Sequence, residues 1–282
     1  MMKRTGAVIA LAVIFLAGTV SAQNTETTKK KKERKGEFYF SWGYNKEWYT
    51  HSNVFIDQPG LGNNFVMRGV KGHDHPGWDE GLFHLALSIP QYNYRIGYIF
   101  DKKRGLGFEI NFDHTKFIIA DGQTVNITGK MNGQDYSGTA LFKKNDNAGP
   151  TDSSSYYYLN NGANFLLFNI VKRWHIIATK NENVKVDFLG KAGIGPVIPH
   201  VENKFFNQQG NDPHFQVGGW NVGFEGALRA TFFKYVYLEY ANKLDYARYS
   251  GLKIYQGKAR QAFGTYEMIL NLGFTFPMGK RE

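Results

Sequence analysis

Apolar and polar residues alternate with a period of two along most of the chain after Gly36. In residues 37–47, one set of alternate positions is large and apolar or aromatic: Phe38, Phe40, Trp42 and Tyr44. The positions between them are Tyr39, Ser41, Gly43 and Asn45. The same division recurs in residues 92–100, 106–113, 220–232, 236–246 and 265–276. Because successive side chains of a strand point to opposite faces, each segment is predicted to be a β-strand with one apolar face.

The bulk of the apolar face indicates which side of the predicted sheet faces outward. An eight-stranded barrel is only wide enough for its inward side chains to fill it. The apolar face carries Phe, Tyr, Trp, Leu or Ile at nearly every position, whereas the other face mixes small residues with charges of both signs. We therefore predict that the aromatic face contacts lipid and that the polar face lines a narrow interior.

The spacing of the segments predicts an all-β fold, a transmembrane antiparallel up-and-down β-barrel of eight strands. We place the strands near residues 36–46, 90–100, 104–119, 156–178, 184–202, 215–232, 235–250 and 261–276. Tight turns alternate with long connections, as in outer-membrane barrels, and the longest predicted extracellular loops are 46–89 and 120–155. Asn132-Gly133 is a two-residue turn signal inside the second loop, so ten strands remain the alternative. In residues 156–178, the pattern does not decide which set of alternate side chains faces the lipid.

The N-terminal region predicts export. Lys3 and Arg4 precede an apolar run, and Val20-Ser21-Ala22 supplies the small residues of a signal peptidase site, so residues 1–22 are predicted to be a signal peptide. Residues 23–35 contain six Lys or Arg against two Glu and are predicted to form a basic, flexible periplasmic leader. We expect no nucleic-acid partner for this run, because the chain is exported and the run has no aromatic residues on which bases could stack. The barrel is then predicted to occupy residues 36–277.

Composition excludes several chemistries. The 282 residues include no cysteine, which removes disulfides, thiolate zinc sites and thiol catalysis. The 23 Phe, 17 Tyr and 5 Trp favour strands.

The final strand, Met268-Ile269-Leu270-Asn271-Leu272-Gly273-Phe274-Thr275-Phe276, resembles the assembly signal of outer-membrane barrels. With the strand pattern, the chain resembles the small eight-stranded outer-membrane β-barrel proteins, the class that includes OmpA-like barrels and lipid A-modifying barrels. The resemblance implies an outer-membrane location, with membrane lipid, lipopolysaccharide and the barrel-assembly machinery as partners.

Three groups of residues are candidates for function. His73, His75 and Asp79 could supply ligands to a divalent metal, although their spacing matches no diagnostic motif and a polar surface loop explains them too. His114 is a candidate catalytic residue near the outer leaflet, but its sequence context lacks the His-x-Ser element of the deacylase. The third group is a set of charges predicted to line the lumen: Arg95, Glu109, Asp113, Lys185, Asp187, Lys191, Glu225, Arg229, Glu239, Lys243, Asp245 and Glu267.

The leading hypothesis is a non-enzymatic protein, structural or ligand-binding, that acts at the cell surface through its extracellular loops and needs no cofactor. A lipid A-modifying hydrolase or acyltransferase is the alternative, and a narrow channel is the second alternative.

Overall fold

The computed structural model describes residues 36–75, 91–119, 122–143, 155–181, 183–206 and 208–278. The predicted signal peptide and leader lie outside the described residues. The strands in the described part are β1 (Gly36–Tyr49), β2 (Ser52–Gln58), β3 (Asn63–Val70), β4 (Gly72–His73), β5 (Tyr92–Asp101), β6 (Leu106–Asp113), β7 (Phe117–Ile119), β8 (Gln123–Met131), β9 (Gln134–Phe142), β10 (Tyr156–Leu159), β11 (Phe165–Ala178), β12 (Val184–Pro196), β13 (Glu202–Lys204), β14 (Gly219–Phe232), β15 (Val236–Ile254) and β16 (Gly257–Met278). A 3-10 turn, Pro59–Leu61, joins β2 to β3. No described helix is long and apolar enough to cross a membrane.

The strands pair into a closed antiparallel barrel. The ring order is β1-β5-β6-β11-β12-β14-β15-β16, and β1 closes it by pairing with β16 from Gly36 opposite Met278 to Tyr49 opposite Thr265. Among the described residues this ring has eight members. The predicted up-and-down barrel is confirmed, and the hairpin that suggested ten strands lies outside the ring.

The barrel wall is apolar outside and charged inside. Phe224, Leu244 and Ile170 on the outer surface are 57%, 62% and 61% exposed, whereas Arg95 and Lys243 inside are buried. Such an outer surface would be unstable in water but matches the hydrocarbon of a bilayer, and every backbone group of a closed barrel finds a partner. The chain is therefore an outer-membrane β-barrel.

The structure also orients β11, whose lipid face the sequence left open. Phe165, Leu167 and Val171 point inward and are fully buried, while Phe168 and Ile170 are exposed on the outer wall. Phe165 and Val171 belong to two separate apolar clusters, one toward each end of the barrel, and Leu167 lies between them along β11.

The two ends of the barrel differ. Both described termini, Gly36 and Met278, lie at the end that carries the short connections 101–106, 178–184 and 232–236. The long connections all leave from the opposite end. Short turns and termini mark the periplasmic end of outer-membrane barrels, so the long connections are extracellular.

The extracellular connections form a folded unit, which we call the cap. Beyond the membrane, β16 pairs with β2, and the sheet continues through β3, β8 and β9. A second sheet has the order β13-β10-β7-β4. Both sheets contribute to one apolar core: Val54, Ile56, Phe65, Met67, Val70, Phe117, Ile119, Val125, Ile127, Phe142, Tyr157, Leu159, Ala163, Phe165, Val197, Val201, Phe205, Ala247, Tyr249, Leu252, Ile254, Ala259 and Phe263.

The cap corrects the expectation of loops for the described parts of residues 46–89 and 120–155. β2, β3 and β4 lie in the first segment, and β8 and β9 lie in the second. The predicted turn at Asn132-Gly133 is confirmed, since both residues have positive φ (52° and 78°) and join β8 to β9. The segments fold because their alternating apolar side chains bury each other between the two sheets, without lipid.

Candidate functional site

The interior charges form a packed network in the middle of the barrel. Lys191 Nζ lies 2.9 Å from Glu109 Oε2, 2.9 Å from Glu225 Oε1 and 3.0 Å from Glu239 Oε1. Arg95 contributes an Nη2 bond of 2.9 Å to the same Glu225. Because these residues come from β5, β6, β12, β14 and β15, their contacts cross the lumen and connect opposite walls.

A second part of the network lies nearer the cap. Lys243 Nζ contacts Asp113, lies 2.8 Å from Asp245 Oδ2 and lies 3.4 Å from Glu267 Oε1. All four side chains are buried. One cation therefore faces three carboxylates, and Asp113 also lies 3.2 Å from Arg95 Nη1. Removing Lys243 would leave Asp245 and Glu267 buried without this counter-ion.

The predicted lumen residues are thus found on the inner face, with two of them at its periplasmic end. Lys185 is partly exposed there and lies 3.3 Å from Asp187. Sequence analysis missed Glu47, which is buried beside the network and accepts hydrogen bonds from Tyr49 and Gln91. We ended the first strand at residue 46, and the extension of the alternation by one residue was the signal for Glu47.

An apolar layer lies on the periplasmic side of the charges. Tyr39, Ile99, Val171, Leu189, Ala227, Tyr237, Ala241 and Ile269 form this cluster. Arg229 inserts its guanidinium between two of the rings, 4.3 Å from the centre of Tyr39 and 4.0 Å from that of Tyr237. With the cap core on the other side, the charges are enclosed between two apolar layers, which gives the narrow-channel alternative no support.

His114 follows β6 directly, and its backbone N–H donates to the carbonyl of Tyr92 on β5. Its Nδ1 lies 2.8 Å from Asn164 Oδ1, and Asn164 Nδ2 donates to the carbonyl of Ile198, so the histidine nitrogen is the donor. The ring stacks on Tyr92 at 4.7 Å. Burial lowers the pKa of His114 to about 4.

The contacts of His114 do not assemble a hydrolase. In the described residues its ring makes no hydrogen bond to a hydroxyl or carboxylate group. A neutral histidine held by an amide and an aromatic ring matches a structural role at the membrane boundary. The lipid A-modifying alternative therefore gains no support from this residue.

The predicted metal site is only partly described. His73 is exposed with Nδ1 2.8 Å from the Asp74 carbonyl, the backbone N–H of His75 donates to Gln91, and Asp79 lies outside the described residues. In the described part of the chain, no group of three His, Asp or Glu side chains could hold a metal ion. A divalent metal at this position stays a prediction.

The outer face of the cap sheet offers a different kind of site. A cavity of about 430 Å³ opens where β2 and β3 meet β16, lined by His51, Ser52, Asn53, Phe55, Gly69 and Ala262. Arg260 places its guanidinium 4.4 Å from the centre of the Phe55 ring. We call this cavity the cap pocket.

A β-bulge shapes the cap pocket. The register of β2 against β3 shifts between Ser52 and Val54, where Gly69 takes a φ of 62° and donates its N–H to Asn53 Oδ1. Positive φ costs glycine little, so the bulge forms at this residue and leaves room beside Asn53. The sequence carried this signal as a single glycine inside an alternating segment.

Polar side chains surround the pocket on the same face. Arg68 Nε donates to Thr128 Oγ1 at 2.8 Å on the neighbouring strands. Other exposed residues of this face are Asn53, Asp57, Asn64, Asn126, Lys130, Asp135, Ser137, Thr139, Lys258 and Arg260. The face therefore combines one aromatic ring, several amides and hydroxyls, and a small excess of positive charge.

The cap pocket is close to the membrane surface. On the barrel wall below it, the rings of Trp48 and Tyr266 lie 5.6 Å apart, and Lys46 Nζ is 5.7 Å from the Trp48 ring. Aromatic and basic residues of this kind mark the membrane boundary. Ala262 of the pocket precedes Tyr266 by four residues on β16, which places it about 13 Å along the strand toward the cap.

Comparisons with known proteins find similarity at the level of architecture. No protein-family model matches the chain, and no curated protein matches it by sequence. Similar solved structures include Ail, the attachment invasion locus protein of Yersinia pestis, crystallised with the heparin analogue sucrose octasulfate (13% identity, TM-score 0.32, covering 86% of this chain and 99% of that one). The outer membrane protein OprG from Pseudomonas aeruginosa has 11% identity and a TM-score of 0.39, covering 86% of this chain and 97% of OprG. Neisserial surface protein A has 9% identity and a TM-score of 0.33, with the same two coverages. The assignment of this chain as an outer-membrane barrel comes from its own closed ring and apolar outer wall.

Proposed function

We propose that this protein is a ligand-binding protein of the bacterial cell surface, and that its cap pocket binds the sugar portion of a surface glycan. The observation that carries the proposal is the composition of the pocket, in which Phe55 lies beside the amide of Asn53 and the guanidinium of Arg260. Sugars present apolar C–H faces together with many hydroxyl groups, so an aromatic ring next to amides and a cation complements them.

The position of the pocket favours lipopolysaccharide as the source of the glycan. The aromatic pair Trp48 and Tyr266 marks the outer membrane boundary, and the pocket lies a short distance above it. The inner sugars of lipopolysaccharide occupy this level and carry phosphates, which the excess of positive charge on the sheet face attracts.

The rigidity of the cap supports binding over a purely structural role. The pocket is built on paired strands with an apolar core behind them, so its side chains are held in place before a ligand arrives. Preorganised side chains lose less conformational entropy on binding.

Binding of lipid-free core oligosaccharide to the purified, folded protein tests the proposal by titration calorimetry. We expect saturable binding that weakens about tenfold in Phe55→Ala, because a ring-to-sugar contact is worth about 1.4 kcal/mol. Leu141→Ala, which changes an exposed residue at the far edge of the same sheet, is the matched control and should bind like the unmodified protein. Equal binding by the unmodified protein and Phe55→Ala, or none by either, contradicts the proposal.

A further inference from the structure

The periplasmic end of the barrel contains a second cavity, of about 530 Å³, which we call the vestibule. Five basic side chains line it, namely Lys102, Arg173, His175, Lys185 and Lys234. Glu37 is the carboxylate of its lining, and Asp187 lies beside it in contact with Lys185 and His175.

The strand ends explain why these residues converge. Glu37 of β1, Arg173 and His175 of β11, and Lys185 of β12 continue the inward-facing positions by one or two residues beyond the apolar layer around Tyr39 and Tyr237. That layer separates the vestibule from the central charge network. The vestibule is therefore open to the periplasm and closed toward the lumen.

The charges of the vestibule do not cancel. Arg173 Nη1 is 2.5 Å and Lys102 Nζ is 3.8 Å from the Glu37 carboxylate, so two cations share one acid. Lys185 Nζ lies 3.3 Å from Asp187. Four permanent cations, including Lys234 in the β14–β15 turn, thus face two carboxylates, a net charge of +2 before His175 is counted.

We propose that the vestibule binds a phosphate group. Arg173 directs Nη1 and Nη2 at the Glu37 carboxylate and keeps further N–H groups for a phosphate oxygen, while Lys102, Lys185 and Lys234 add ammonium donors from another strand and two turns. The net positive charge matches a phosphate mono- or dianion. This proposal does not depend on the glycan site of the cap.

Two sources could supply the phosphate, an anionic phospholipid of the inner leaflet or a free phosphate of the periplasm. Apolar residues beside the mouth provide a surface for acyl chains, since Ile176 and Ile177 are exposed at the β11 bulge and Phe233 is 73% exposed at the β14–β15 turn. The two sources share the same headgroup chemistry and differ in whether a lipid is required.

Binding by the full-length protein distinguishes these sources. In an uncharged maltoside detergent, inorganic phosphate is titrated and followed by calorimetry. In nanodiscs, retention of phosphatidylglycerol over phosphatidylcholine is measured by native mass spectrometry. Saturable phosphate binding supports a free ligand, whereas selective retention of phosphatidylglycerol without phosphate binding supports a lipid headgroup.

Two variants test whether the vestibule is responsible. Arg173→Gln removes the guanidinium, and the double variant Lys185→Gln with Lys234→Asn removes two cations while leaving the Arg173–Glu37 pair intact. Asparagine suits position 234 because Lys234 has a φ of 68°. We expect each variant to weaken binding of the active probe about tenfold, since a charge-assisted hydrogen bond contributes about 1.5 kcal/mol.

Lys130→Gln with Lys253→Gln is the control, because it removes two exposed cations from the extracellular cap. It should bind each probe like the unmodified protein, and heat-modifiable gel migration verifies that every variant is folded. The proposal is overturned if neither probe binds, if both vestibule variants bind like the unmodified protein, or if acetate competes as well as phosphate.

Discussion

The guanidinium carbon of Arg229 lies 4.0 Å from the centre of the Tyr237 ring, and together they fill the lumen on the periplasmic side of the charge network. Arg229 is held there by Glu239, whose Oε2 is 2.6 Å from Nη2. We predict that the purified protein forms no ion-conducting pore in a planar bilayer, because side chains occupy the path that ions would take. Stable, stepwise current openings by the unmodified protein would show that the lumen conducts.

The central charges should make a single lysine essential for stability. Lys243→Met leaves Asp113, Asp245 and Glu267 buried without their shared cation, so we predict a loss of about 3 kcal/mol or more in the free energy of unfolding. Lys253→Met is the matched control, since Lys253 is on the same strand but exposed. The measurement is the urea midpoint in lipid vesicles, and equal midpoints for the two variants would contradict the role given to Lys243.

The cap should be able to loosen while the barrel stays intact. Phe65 is buried, with its ring 5.8 Å from that of Phe205, so Phe65→Ala removes a core contact between β3 and the opposite side of the cap. We predict a local loss of about 3 kcal/mol, visible as faster protease cleavage in the cap with unchanged heat-modifiable migration. Leu141→Ala, at an exposed position, should be cleaved like the unmodified protein, and equal cleavage of all three proteins would argue against a folded core.

His114 should make stability depend on pH. Its folded pKa is about 4, below the usual value near 6.5, so between these values the unfolded chain binds a proton that the folded chain does not. The stability from neutral His114 is complete above pH 6.5 and is lost as the pH falls through about 4, by up to about 3 kcal/mol.

His114→Gln isolates this contribution from the other titrating groups, because glutamine carries no titrating proton. We predict that the unmodified protein loses more thermal stability than His114→Gln between pH 7 and pH 4.5. Circular dichroism melts at the two pH values measure it, and parallel losses in both proteins would contradict the assignment.

The barrel could be predicted from sequence because lipid imposes a simple rule on its strands. In β5, β6, β14, β15 and β16, large apolar residues alternate with small or charged ones. β5, β14, β15 and β16 lie within about four residues of their predicted places, whereas the predicted strand 104–119 is divided into β6 of the barrel and β7 of the cap. The interior positions of Arg95 and Glu225 followed from the same alternation. β11 escaped the rule because its inner side is apolar as well: Phe165 packs in the cap core, and Leu167 is buried on the same side.

The cap could not be predicted as a unit because its strands pair over long distances in sequence. Val54 and Ile56 share the buried face of β2, which pairs with the neighbouring β3 on one side and with the start of β16, about 200 residues later, on the other. Sequence alternation predicts a strand but not its neighbour. The vestibule was missed for a related reason, since Arg173 and His175 lie on β11, whose inner face was not known.

Hydrogen–deuterium exchange of the full-length protein in nanodiscs tests most directly that a closed barrel carries a folded cap. We predict that paired amides of β2, β3 and β8 exchange slowly, as those of the barrel strands do, because they lie in a hydrogen-bonded sheet over an apolar core. Exchange of these amides at the rate of an unstructured chain, with the barrel strands protected, would contradict the account and return residues 46–89 and 120–155 to loops.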